Sequence, residues 1–141
     1  MNEVVNEPKS KPGIVIFVAL LNFFSSMAWL IGAALFTALL IFGNAVGFYQ
    51  TITNRLQERL AGQNLAIGLN AVFSFFLILS LFFAGFHLLI GIGLLKAKGA
   101  AWYVQIVTAI MGLILIPYGT VVSIVILVFF FRSNVRSFFK V

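Results

Sequence analysis

Few side chains in this sequence can do chemistry. The only acids are Glu3, Glu7 and Glu58, there is no Asp and no Cys, and His87 is the lone histidine. A carboxylate pair for acid/base work, an acidic cluster for metal-dependent group transfer, a Ser-His-Asp triad and a two-histidine metal site all need residues that this set lacks. Without cysteine there are no disulfides, thiolate nucleophiles or iron-sulfur ligands. Gly91-Ile92-Gly93 lies inside an apolar run rather than between a strand and a helix, so it is no dinucleotide fingerprint. The expectation is a protein that is not an enzyme and uses no metal or cofactor.

What remains is uncharged or nearly so: Asn22, His87, Gln105 and Ser123, each within a different apolar segment. Counted inward from the nearest polar boundary at about 1.5 Å per residue, each lies roughly 11 to 14 Å along its segment. Side chains at matched depth can meet in one tier. As a structural tier they hydrogen-bond between helices and fix their register, contributing on the order of 0.5 to 2 kcal/mol per bond. As a functional tier they line a pathway in which His87 answers to protons or touches a substrate.

The elements that must position these groups follow from composition. Of 141 residues, 62% are hydrophobic and 9% charged, whereas a soluble domain carries about a quarter charged residues. The mean hydropathy is +1.15. These values exclude a soluble enzyme, a disordered chain and a secreted disulfide scaffold, and they fit one integral membrane domain. The net charge of +6 comes from cations that punctuate the ends of apolar runs instead of forming a basic stripe. Membrane lipids are thus the expected partners, and nucleic acid is not.

Along the chain, residues 1–13 read as a mobile polar tail. Residues 14–42 hold no charge and would measure roughly 44 Å as a helix, more than the ~30 Å of bilayer hydrocarbon. Ser26-Met27-Ala28 resembles a signal-peptide cleavage site, but the apolar run continues past it, which favours an uncleaved anchor. Residues 45–61 place Ala45, Phe48, Tyr49, Ile52, Leu56 and Leu60 at three- and four-residue steps, the pattern of an amphipathic connector. Residues 67–95 form a second span and 100–116 a third. Residues 119–131 follow Pro117-Tyr118-Gly119 as a fourth, and 132–141 make a basic tail.

Pro117 either kinks one long helix or opens a tight turn. With a turn, Lys9, Lys11, Lys96, Lys98, Arg132, Arg136 and Lys140 share one face, and only Arg55 and Arg59 take the other. With a kink the cations divide almost evenly. The positive-inside rule selects the turn, four membrane-embedded helices and two cytoplasmic termini. The last two helices are short, so they either span fully or form a re-entrant hairpin.

Small residues at helical spacing, Ala28 with Gly32, Ala84 with Gly91, and Thr108 with Gly112, allow close helix approach within one chain or between two copies. Trp102 and Tyr103 stand where interfacial aromatics belong, next to Lys96 and Lys98. The 17 phenylalanines occupy several sides of their helices and chiefly face lipid. Arg132, Arg136 and Lys140, four apart beside Phe138 and Phe139, suit a basic anchor on anionic headgroups.

The last third of the chain, with its glycine-rich helix end at Gly91 and Gly93, basic turn Lys96-Ala97-Lys98, Trp102 and Pro117-Tyr118-Gly119-Thr120, resembles small prokaryotic four-helix integral membrane proteins of uncharacterised function. The resemblance implies a bacterial-type cytoplasmic membrane and nothing catalytic. The expected function is an accessory, scaffold or assembly partner in the bilayer, working with a membrane protein or a second copy of itself. The alternative is a small oligomeric channel or transporter lined by the polar tier.

Overall fold

An apolar segment in hydrocarbon must satisfy its amides internally, and the helix does so within one segment. The computed structural model describes residues 10–57, 65–114 and 116–141, and these are predominantly helical, without a strand. The order is α1 (Gly13–Ala45), α2 (Phe48–Gln57), α3 (Leu65–Leu95), α4 (Gly99–Gly112), α5 (Tyr118–Phe130) and α6 (Ser133–Phe139). Residues 1–9 of the expected tail and 58–61 of the expected connector lie outside the described residues.

Each boundary has a local cause. Helix α1 starts where the Pro12 carbonyl accepts the amides of Val15 at 2.9 Å and Ile16 at 3.4 Å. It runs on to Ala45, beyond the last residue of the apolar run, and near its end the Asn44 side chain donates to the Leu40 carbonyl at 2.7 Å. Gly47 at φ 65° then turns the chain into α2. Helix α3 ends with the Lys98 amide on the Gly93 carbonyl at 3.0 Å and Ala97 at φ 53°, a Schellman-type stop built on alanine instead of glycine.

Helix α4 ends at Gly112 instead of 116, with the Leu113 amide on the Ile110 carbonyl at 3.2 Å closing its last turn. The hydroxyl of Thr120 takes the Leu113 carbonyl at 2.9 Å. Helices α4 and α5 then run back along each other: Gly112 faces Ser123 near the turn, and Trp102 Nε1 donates to the Phe130 carbonyl at 3.2 Å at the far end. Pro117 therefore ends a turn, with Tyr118 and Gly119 opening α5, and does not kink a single helix. Helix α6 leaves α5 at a 76° bend.

Two helices, Gly13–Ala45 and Gly68–Leu95, are long and apolar enough to cross a bilayer, and a third crossing is counted if α5 and α6 form one bent span. The all-helical, apolar architecture suits a membrane protein. Helix α4, of 14 residues, and α5, of 13, measure about 21 and 20 Å.

The chain divides into two compact units, one made of residues up to Phe23 with Leu88–Val141, the other of Phe24–His87. The first holds the start of α1, the end of α3 and all of α4, α5 and α6. Its fully buried side chains include Val15, Val18, Leu94, Phe130 and Val135. In the second, α1 and α3 pair antiparallel. Trp29 stacks on Phe83 at 5.0 Å and Phe36 on Phe76 at 5.6 Å, and a Cβ on Gly32 would lie 3.6 Å from Ser80 Oγ.

Candidate functional site: buried polar contacts

Every buried polar side chain of an apolar helix needs a partner, and each partner names the helix it faces. In the first unit the Asn22 amide of α1 donates to the Val18 carbonyl at 2.9 Å and to Gln105 Oε1 of α4 at 2.8 Å. Asn22 and Gln105 are 5% and 3% exposed. Both protons of the Asn22 amide are engaged, one within its helix and one between helices. Helix α3 packs closely on both of these helices through its glycines. A Cβ on Gly93 would lie 2.7 Å from the Ala101 methyl, and one on Gly91 would lie 2.7 Å from the Phe23 ring.

Of the expected tier, then, Asn22 and Gln105 are joined directly. Ser123 is buried in the same unit over Gly112, across the α4–α5 turn. His87 belongs to the second unit, half-buried and edge-on to Phe86 with ring centroids 5.7 Å apart.

The small residues fare unequally. Gly32, Gly91 and Gly112 each face a side chain of their own chain, and the Ala84 carbonyl accepts the Ser26 hydroxyl at 2.8 Å. Ala28 is exposed, and Thr108 returns its hydroxyl to the Val104 carbonyl of its own helix at 2.9 Å. Trp102, expected at an interface beside Tyr103, packs inward against its own unit and is 6% exposed, while Tyr103 is 58% exposed. The inward turn lets its indole N–H satisfy a carbonyl at the end of α5 that has no helical partner. Lys96, Lys98, Arg132, Arg136 and Lys140 are all exposed, with the Arg132 guanidinium 4.3 Å above the Phe129 ring.

The sequence patterns singled out above do not foretell the polar contacts of Ser26 and Tyr49, nor the burial of Ser80. Ser80 lies four residues before Ala84 and so extends that small-residue stripe by one turn, a signal that was available. Tyr49 donates its hydroxyl to the Leu39 carbonyl at 2.7 Å, and its ring lies against Gly43, where any Cβ would collide with it. That contact ties α2 back onto α1, and no spacing rule foretells it.

Among the described residues no group of three His, Cys, Asp or Glu is placed to hold a metal. Two clefts are wholly apolar: one of about 360 Å³ along Leu35–Val46 with Phe48, and one of about 210 Å³ between Phe17 and Leu21 of α1 and Val121, Val122, Val125 and Ile126 of α5. A third, of about 270 Å³, is lined by Ser10, Pro12, Asn134 and Ser137. No family model, curated protein or solved structure matches this chain. The functional reading therefore rests on geometry.

Proposed function

We propose that this chain is a non-enzymatic integral membrane protein acting as an accessory, scaffold or assembly partner inside a bacterial-type cytoplasmic membrane. Four helices are embedded: α1 and α3 cross, and α4 with α5 forms a re-entrant hairpin that enters and leaves on the cytoplasmic side with both termini. The lengths of α4 and α5, about 20 Å each against ~30 Å of hydrocarbon, support half-depth entry.

The observation that carries the functional reading is the Asn22–Gln105 hydrogen bond, 2.8 Å long and buried. A conducting pathway needs such groups facing water, whereas here they engage each other, as helix-fixing bonds do. Reconstitution into liposomes tests the proposal. Proton and potassium flux should equal that of protein-free vesicles. A flux that Asn22→Leu or Gln105→Leu abolishes would replace the accessory reading with the channel reading.

A further inference from the structure

Helix α6 is held to its unit by Val135 and Phe139, 0% and 3% exposed; it carries the exposed Arg136, and the exposed Arg132 and Lys140 cap its two ends. A Cβ on Gly99 would lie 3.2 Å from the Val141 side chain, so the end of α6 rests on the turn that carries Lys96 and Lys98. At its other edge Asn134 and Ser137 share the polar cleft with Ser10 and Pro12, which flank Lys11. All these cations thus gather at one end of the first unit. No acidic side chain occurs among the described residues, since Glu3, Glu7 and Glu58 all fall outside them. A group of exposed cations of this kind suits an anionic ligand.

Two clefts of this unit, one polar and one apolar, lie at successive levels along the start of α1. The polar cleft opens at Ser10 and Pro12, at the start of α1. The apolar cleft opens at Phe17 and Leu21 on the same helix and is closed by α5. From Pro12 to Phe17 is about 7.5 Å along the helix axis, close to the ~5 to 8 Å interfacial layer between headgroup and hydrocarbon in one leaflet. A free phosphate would have no use for the apolar cleft, and a zwitterionic lipid would leave the cations unmatched.

We propose that this end of the protein is a binding site for one anionic phospholipid. Its phosphate sits at the cleft of Ser10, Asn134 and Ser137 between Lys11 and Arg136, and an acyl chain lies along Phe17 and Leu21. The inference rests on the membrane reading above and names a ligand for its cytoplasmic end.

The test is native mass spectrometry of the full chain in detergent, offered equimolar phosphatidylglycerol and phosphatidylcholine in mixed micelles. Phosphatidylglycerol should be retained preferentially. Lys11→Gln and Arg136→Gln should each lower the preference by about fivefold, the equivalent of ~1 kcal/mol per cation. Ser137→Leu, which removes no charge but fills the exposed cleft, should lower it too, while Arg55→Gln in the other unit should leave it unchanged. Equal retention of the two lipids overturns the proposal. So does a Ser137→Leu variant that binds as the wild type, because diffuse surface charge would then suffice, and so does loss of the lipid on adding inorganic phosphate, which would mark a free-anion site. Alkaline carbonate extraction separates the two levels: a chain released from membranes takes the membrane reading down with it, whereas one that stays embedded without lipid preference loses only this site.

Discussion

Asn22 and Gln105 form an interhelical bond in which each side chain is the other's means of staying buried. Removing one should cost about 0.6 to 2 kcal/mol, and removing both should cost less than the sum, because no amide is then left unpaired. Unfolding in detergent of Asn22→Leu, Gln105→Leu and the double variant closes the cycle; a coupling energy of zero would show that the bond holds nothing. Two glycines make a sharper pair. Gly112 faces the rotatable hydroxyl of Ser123, so Gly112→Ala should be mild, whereas Gly93 faces the fixed methyl of Ala101. Gly93→Ala should therefore cost ~1 to 3 kcal/mol in thermal unfolding and be partly restored by adding Ala101→Gly. If Gly93→Ala changed oligomeric state with stability intact, the glycine would serve contacts between copies instead. The apolar context explains why Gly93 escaped notice: spacing singles out Gly91, but only the path of α4 shows which glycine it crosses.

At the scale of elements, the long apolar runs and the turn at Pro117 were legible because hydrocarbon length, proline stereochemistry and the sidedness of cations all act on the sequence directly. The packed face of each helix was not legible. Lipid is as apolar as leucine, so core and lipid-facing positions carry the same residue types and the usual helical period vanishes. Trp102 illustrates the difficulty: beside Lys98 it looks interfacial, yet it is turned inward to the Phe130 carbonyl. Helix α2 is the converse, with a clear amphipathic period but a hydroxyl bond from Tyr49 that the period does not foretell. Tyr49→Phe removes the hydroxyl bond to Leu39 and should loosen α2 by about 1 kcal/mol, read as faster amide exchange over residues 48–57. Unchanged exchange would mean that ring packing alone holds α2. Ala97 tests a terminus: at φ 53° it pays the left-handed penalty, so Ala97→Gly should raise stability by roughly 0.5 to 1 kcal/mol.

At the scale of the molecule, the proposed topology has α4 and α5 entering hydrocarbon without crossing it, and it would set Lys11, Lys98 and Arg132 on the side opposite α2. The natural chain has no cysteine, so single cysteines can be placed without background. The most direct measurement is labelling of Ile116→Cys, at the exposed tip of the hairpin, with a membrane-impermeant maleimide from each side of sealed vesicles. Thr51→Cys and Ser133→Cys mark the two aqueous faces. The account predicts that Ser133→Cys labels only from the cytoplasmic side, Thr51→Cys only from the opposite side, and Ile116→Cys from neither until detergent is added. Labelling of Ile116→Cys from the side that labels Thr51→Cys would make the hairpin a full crossing and contradict the account.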